Sequence, residues 1–218
     1  MQQKKWLDEK TEIPTNKLTQ PKTNTITVLS TIIAENIVKY YMNDTQFYAK
    51  FVDGNGNPLS NTNVTFNING VFYTHETDSE GVTHLNLNLR PGNYTLTAID
   101  PETGLDMSFN ITILPTIIAH DITKVYLNET QFTAKFVKGS GEALANTNVT
   151  FNINGVFYTR TTDANGTAIL NINLMPGKYI LTAIDPLTNL TMGYNVTVVE
   201  NTNNIRSVYC IPVDDSIF

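Results

Sequence analysis

Three histidines, His75, His84 and His120, are the first residues in this sequence that could do acid–base or metal chemistry. The chain can be aligned with itself at an offset of 85 residues, which gives each histidine a counterpart. Those counterparts are Arg160, Ile169 and Glu35. Because no histidine recurs, the sequence predicts no catalytic residue, cofactor-binding residue or metal ligand of this type, and the chain is interpreted as a non-enzyme.

Two pairs of aspartates do recur at the same offset. Asp78 and Asp163 each precede a glycine by three residues, and Asp100 and Asp185 each precede a proline. Both are turn positions, where an aspartate side chain accepts hydrogen bonds from nearby backbone N–H groups. We therefore favour structural turn residues over metal ligands or catalytic acids.

The stretch "DGNGN" at 53–57 offers oxygen atoms at alternate positions, as a calcium loop does. Its counterpart "KGSGE" at 138–142 places the ammonium of Lys138 where the first carboxylate would lie. A glycine-rich hairpin loop is the favoured interpretation of both stretches.

Lys39 and Lys124 recur between an isoleucine and a tyrosine on one strand face, and they are the candidate lysines for a Lys–Asn isopeptide cross-link. The partner asparagines would be Asn110 and Asn195. The alternation of the closing strand points both of them outward, and a shift of one residue would expose its whole apolar face. Snorkelling lysines at a strand edge are the favoured alternative.

The elements that must position these residues come from a tandem duplication. Residues 31–115 align with residues 116–200 without a gap, with 53 identical pairs in 85. The repeated run "NTNVTFNINGVFYT" occupies 61–74 and 146–159. The sequence thus predicts two copies of one structural unit.

Each unit alternates apolar and polar residues with the period of a half-buried strand. "QFYAKFV" at 46–52 and "MSFNITIL" at 107–114 show the pattern, and Asn69-Gly70 is typical of a type I′ hairpin. Six or seven short strands are expected per unit, spaced as in an antiparallel sandwich, with no helical period. The predicted fold is all-β, with two tandem immunoglobulin-like antiparallel β-sandwich domains and disordered or irregular ends.

The two units resemble the immunoglobulin-like tandem repeats of the adhesin-like surface proteins of methanogenic archaea. The similarity covers residues 25 to about 200, and "TNVTFNINGVFYTRTTDANGTAILNINLMPGKY" at 147–179 carries its most specific part. This resemblance implies an extracellular, cell-surface stalk of many such domains, with neighbouring repeats as partners and no enzymatic role.

The ends of the chain are interpreted from the same offset. "TITVLS" at 25–30 aligns with the closing strand of a unit and is interpreted as the remnant closing strand of a preceding repeat. It is expected to add to the edge of the first domain or to pair with another molecule. Residues 1–24 are expected to be disordered and contain no secretory signal. Residues 201–218 are a tail or a remnant of a following repeat, since "IRSVYC" resembles "ITKVYL" at an offset of 83.

Nine N-x-T triplets are candidate N-glycosylation acceptors, as on an exported glycoprotein. They begin at Asn43, Asn63, Asn93, Asn110, Asn128, Asn148, Asn165, Asn189 and Asn195. Duplication and the outward alternation of Asn and Thr in strands both inflate this number.

Composition excludes several partners. The net charge is −6 with 14 scattered Lys and Arg, so nothing indicates nucleic-acid binding or an anionic membrane surface. No apolar run reaches the about 18 residues of a membrane helix. The single Cys210 excludes an internal disulfide framework.

Two functions stay open. In the first, the chain is a structural stalk module that spaces a distal binding region from the cell envelope, joined by the stiff linker "ILPTII" at 113–118. In the second, loops between strands bind a protein or glycan ligand on another cell. The loops that differ between the copies, 53–60 and 138–145, contain no aromatic residue on which a sugar could stack, so the stalk is favoured.

Overall fold

The computed structural model describes residues 27–201. The expectations for residues 1–26, and those for "IRSVYC" and Cys210, lie outside the described residues. Of the segment "TITVLS", residues 27–30 are described and form no strand, and Val28 and Leu29 are exposed.

Each repeat folds into eight β-strands. In repeat 1 they are β1 Ile32–Ala34, β2 Ile37–Tyr40, β3 Phe47–Phe51, β4 Asn63–Ile68, β5 Val71–Glu76, β6 Val82–Leu85, β7 Gly92–Ile99 and β8 Asp106–Leu114. In repeat 2 they are β9 Ile117–Ala119, β10 Ile122–Val125, β11 Gln131–Phe136, β12 Asn148–Ile153, β13 Val156–Thr161, β14 Thr167–Asn171, β15 Gly177–Ile184 and β16 Thr191–Val199.

The strands of each repeat form two sheets. Repeat 1 has a three-stranded sheet in the order β1-β3-β6 and a five-stranded sheet in the order β2-β8-β7-β4-β5. Repeat 2 repeats this order as β9-β11-β14 and β10-β16-β15-β12-β13. The described residues contain no helix, which confirms the predicted all-β fold of two tandem sandwiches.

One pair of strands in each repeat departs from the antiparallel prediction. The opening segment bends after Ala34, so β1 joins the three-stranded sheet and β2 pairs in parallel with β8. At this bend the side-chain Oδ1 of Asn36 accepts a hydrogen bond from the backbone N–H of Asn110 (2.8 Å). The split of the opening segment into two strands also explains why each repeat has eight strands rather than six or seven.

Each repeat has its own hydrophobic core. Phe47, Phe51, Phe66 and Ile111 are fully buried in the first, and their counterparts are buried in the second. Those counterparts are Phe132, Phe136, Phe151 and Val196. The edge-to-face packing of Phe47 on Phe66 recurs as that of Phe132 on Phe151. The alternation of the sequence thus identifies which strand face is buried.

Two asparagine–glycine turns close the β4–β5 and β12–β13 hairpins. Asn69 and Gly70 have φ values of 54° and 77°, and Asn154 and Gly155 have values of 53° and 77°. Both residues of each pair are left-handed, as a type I′ turn requires, which confirms the hairpin predicted from Asn-Gly.

Candidate functional site

The recurring aspartates before proline are buried inside the repeats. Asp100 and Asp185 are both 0% exposed. The Asp185 carboxylate accepts hydrogen bonds from the hydroxyls of Thr116 (2.6 Å) and Thr188 (2.7 Å) and from the backbone N–H of Leu187 (2.9 Å). The carboxylate thus connects the first residue of the repeat to the turn between its last two strands.

Asp100 makes the same connection in repeat 1, where it accepts a hydrogen bond from the Thr31 hydroxyl (2.6 Å). Burial raises the pKa of the Asp100 carboxyl, but hydrogen bonds from Thr31, Thr103 and the backbone of Glu102 outweigh burial and hold this pKa below its usual value. The carboxylate is therefore ionised and occupied by hydrogen bonds within the fold, which agrees with a structural turn residue.

The remaining aspartates of interest organise exposed turns. The Oδ1 atom of Asp78 accepts the backbone N–H groups of Glu80 and Val82 (both 2.9 Å). Asp53 accepts those of Asn55 and Asn57 (both 2.8 Å). Asp163 repeats the arrangement of Asp78. Within residues 27–201 no group of three or more His, Cys, Asp or Glu side chains could hold a metal ion.

The two recurring lysines are buried, at 6% exposed for Lys39 and 5% for Lys124, so neither snorkels into solvent. The Lys39 ammonium donates hydrogen bonds to the carbonyls of Thr45 (2.8 Å) and Leu87 (3.1 Å). Burial lowers the pKa of Lys39, and the nearby Asp44 carboxylate partly opposes this effect.

Lys124 repeats this geometry with the carbonyls of Asn128 (2.6 Å) and Ile172 (2.7 Å). Asn110 and Asn195 lie on the exposed face of the closing strands β8 and β16, as their register predicts. Each lysine therefore ties two loop carbonyls to the five-stranded sheet that carries it, and the absence of an isopeptide cross-link stays a prediction that mass measurement tests.

Eight of the nine candidate glycan acceptors are exposed, and Asn43 is half-buried. The Asn43 side-chain amide donates a hydrogen bond to the backbone carbonyl of Gly139 in repeat 2 (2.8 Å). Its counterpart Asn128 is exposed. Asn43 is therefore part of the contact between the two repeats, which we call the junction.

The junction has two sides. One is the end turn of repeat 1, Tyr40–Asn43, and the other is the glycine loop of repeat 2, Lys138–Glu142. A Cβ atom built at Gly139 would lie 2.7 Å from the Met42 carbonyl oxygen, and one at Gly141 would lie 2.8 Å from the Tyr40 ring. Only glycine allows the two loops to approach this closely.

A short linker completes the junction. Strand β8 ends at Leu114 and strand β9 begins at Ile117, so only Pro115 and Thr116 lie between the repeats. Thr116 is 0% exposed, and its hydroxyl donates a hydrogen bond to Asp185. Tyr41 also packs against the hydrophobic cores of both repeats.

Sequence reasoning predicted the linker but missed the contact between the end turn and the glycine loop. Gly139 and Gly141 are explained equally well by a hairpin loop, and their counterparts Gly54 and Gly56 recur in repeat 1. In the structure a Cβ atom at Gly54 or Gly56 would meet nothing within 4 Å. The only signal in the sequence was the recurrence of both glycines in two loops that otherwise differ.

Each repeat also has a cleft beside strands β5 and β6, or β13 and β14. The first has a volume of about 340 Å³ and is lined by Tyr73, His75 and Asn86 among others. The second has a volume of about 320 Å³, with Tyr158 and Arg160 at its edge. The Arg160 guanidinium lies 5.8 Å from the centre of the Tyr158 ring.

No protein-family model and no curated protein matches the chain. Among solved structures, the chain is similar to invasin, a bacterial integrin-binding protein, at 20% identity and a TM-score of 0.37 over 78% of this chain and 40% of that one. A titin immunoglobulin tandem, A164-A165, matches at 12% identity and a TM-score of 0.29 over 78% and 97%.

A Bacteroides ovatus glucan-utilisation protein, SGBP-B, solved with a mixed-linkage heptasaccharide, matches at 13% identity and a TM-score of 0.30 over 77% of this chain and 45% of that one. The chain thus spans less than half the length of both invasin and this protein. Because the TM-scores are below 0.5, none of these similarities carries an argument about function. Among the described residues, no helix has the length and apolarity needed to cross a membrane.

Proposed function

We propose that this chain is a non-catalytic, extracellular stalk module of an archaeal adhesin-like surface glycoprotein. In this role it spaces a distal binding region from the cell envelope, with neighbouring repeats as its direct partners. The observation that carries the proposal is the junction, because a spacer must resist bending where its domains meet.

Three features of the junction support stiffness. The linker contains a proline, whose φ angle is fixed, and a threonine held inside repeat 2 by Asp185. The Asn43–Gly139 hydrogen bond fixes the end turn against the glycine loop. Tyr41 adds an apolar contact that joins the two cores. Tandem domains move relative to one another by default, so these contacts are what a spacer needs.

The experiment compares one substitution at two equivalent glycines. Gly139→Ala places a methyl group 2.7 Å from the Met42 carbonyl oxygen and should open the junction, whereas Gly54→Ala meets no atom within 4 Å. Nitrogen-15 relaxation of the full chain, at protein concentrations too low for molecules to associate, measures how each repeat tumbles.

We expect the two repeats to tumble together in the wild-type chain and in Gly54→Ala, and to tumble faster and independently in Gly139→Ala. Independent tumbling in the wild-type chain would contradict a stalk role. Equal behaviour of the two variants would show that the glycine loop does not stiffen the junction.

A ligand-binding module is the second candidate, and the paired clefts favour it. A tyrosine lies at the edge of each cleft, and Asn86 or Asn171 supplies an amide, which are groups that recognise sugar rings or peptides. Titration with a panel of oligosaccharides should then shift the amide resonances around Tyr73 and Tyr158 together, and Tyr73→Ala should abolish the response in repeat 1 only. No shift at either cleft would remove a glycan-binding role for the clefts.

A further inference from the structure

Each repeat carries a further segment that corresponds to one side of the junction but lies outside it. Repeat 2 has an end turn, Val125–Asn128, that corresponds to Tyr40–Asn43. Repeat 1 has a glycine loop, Asp53–Asn57, that corresponds to Lys138–Glu142. Within the described residues, the end turn and the glycine loop that meet at the junction therefore each have a second copy elsewhere in the chain.

The second copies keep the conformation that the contact requires. The backbone N–H of Asn128 donates to the Val125 carbonyl (3.0 Å), as that of Asn43 does to Tyr40 (3.1 Å). Leu127 has a φ of 65°, close to the 60° of Met42. In the loops, Gly56 and Gly141 have φ values of 87° and 85°. The two end turns thus share one backbone conformation, and the two glycine loops share another.

Burial shows that the second copies are unoccupied. Asn43 and Gly139 are half-buried at the junction, whereas Asn128 and Gly54 are exposed. Leu127, beside Asn128, is 78% exposed. A cleft of about 400 Å³ opens there, lined by Lys124, Leu127, Asn128 and Glu129 among others.

We propose that the end turn of repeat 2 docks on the glycine loop of repeat 1 in a second copy of this chain, so that chains associate head to tail through the contact already present at the junction. By the equivalence of the repeats, the Asn128 amide would donate to the Gly54 carbonyl. The Leu127 carbonyl would lie over Gly54 as that of Met42 lies over Gly139. Two different surfaces meet in this contact, so it does not close on itself and allows open chains of molecules.

The contact lacks the covalent linker and has Val125 where the junction has Tyr40, so the association is weak and is measured at high protein concentration. This inference rests on the junction geometry and does not require the stalk role. Failure of the head-to-tail contact would leave the relaxation experiment above unaffected.

Two variants each remove one side of the contact while preserving the fold. Gly54→Ala adds a methyl group in open space in the free chain, and at the equivalent position it would meet a carbonyl oxygen at 2.7 Å. Asn128→Asp keeps the Oδ1 acceptor that holds Thr130 but loses the amide donor. Asn55→Ser is the matched control, since Ser140 occupies that position in repeat 2 and is exposed at the junction.

Sedimentation velocity of the full chain, up to millimolar concentration, tests the proposal. The wild-type chain and Asn55→Ser should sediment faster as concentration rises, and the association constants of Gly54→Ala and Asn128→Asp should fall more than tenfold. An equimolar mixture of these two variants should form dimers and nothing larger, because only one intact pair of surfaces remains.

Three results would overturn the inference. The first is a wild-type chain that stays monomeric at millimolar concentration. The second is association that neither variant weakens, including association that disappears only when residues 1–30 are deleted. The third is a mixture of the variants that associates no better than each variant alone, which would show that the two surfaces do not meet.

Discussion

Replacing Asp185 by alanine should destabilise repeat 2 more than any change at an exposed turn. The substitution removes the acceptor of three donors, the hydroxyls of Thr116 and Thr188 and the backbone N–H of Leu187. A buried donor left without a partner costs about 1–3 kcal/mol. The two hydroxyl oxygens lie 3.2 Å apart and can still bond to each other, which recovers part of the loss.

The expected cost is therefore about 3–5 kcal/mol in the free energy of unfolding of repeat 2, from the about 5–15 kcal/mol typical of a domain. Asp163→Ala is the matched control, because Asp163 also accepts two backbone N–H groups but is exposed to water. Its cost should be about 1 kcal/mol.

Guanidinium unfolding followed by methyl resonances of each repeat measures both variants, with repeat 1 as the internal reference. We expect the midpoint for repeat 2 to fall strongly in Asp185→Ala and slightly in Asp163→Ala. If Asp185→Ala cost no more than Asp163→Ala, the buried carboxylate would not hold the repeat together.

Three further predictions concern acid, covalent chemistry and the first thirty residues. The folded-state pKa of Asp100 lies below its unfolded value, so the stabilisation by this carboxylate is present above about pH 4 and is lost as the pH falls through the folded pKa. Asp100→Asn should flatten this part of the profile of melting temperature against pH for repeat 1. An unchanged profile would contradict the prediction. The intact mass of the unglycosylated protein should equal the sequence mass, because Lys39 and Lys124 bond to carbonyls while Asn110 and Asn195 are exposed, and loss of one ammonia per repeat would refute the register argument. Deleting residues 1–30 should leave the melting of both repeats nearly unchanged, because Thr31 and its bond to Asp100 are retained, whereas unfolding of repeat 1 would make "TITVLS" an integral strand.

The sequence predicts the interior of each repeat well, and the reason is physical. Phe47, Ala49 and Phe51 all lie on one face of their strand, so only the opposite face can be in water without exposing these apolar side chains. All three residues are fully buried. Asn-Gly at 69–70 similarly admits few alternatives to a type I′ turn. The bend after Ala34 escaped prediction because strand β1, Ile32–Ala34, has only three residues, too few to show the alternation of a strand.

The lysines and the junction were harder to predict for different reasons. A lysine between apolar residues is compatible with snorkelling or burial, and the decision depends on the carbonyls of Leu87 and Ile172, which are distant in sequence. Gly54 and Gly139 are the same residue in similar loops, yet one is exposed and the other contacts a neighbouring repeat. Their difference comes from their position in the chain, which local sequence does not encode.

The length of a longer array tests the stalk role most directly. Joining residues 31–200 to a second copy of the same segment gives a four-repeat protein, and Val125→Tyr with Glu200→Pro gives its new central junction the tyrosine and the linker proline of the natural one. Small-angle X-ray scattering of the two-repeat and four-repeat proteins compares their maximum dimensions at concentrations too low for association. A stalk predicts that the maximum dimension doubles with the number of repeats. A growth closer to the square root of that number, as in domains on flexible linkers, would contradict it.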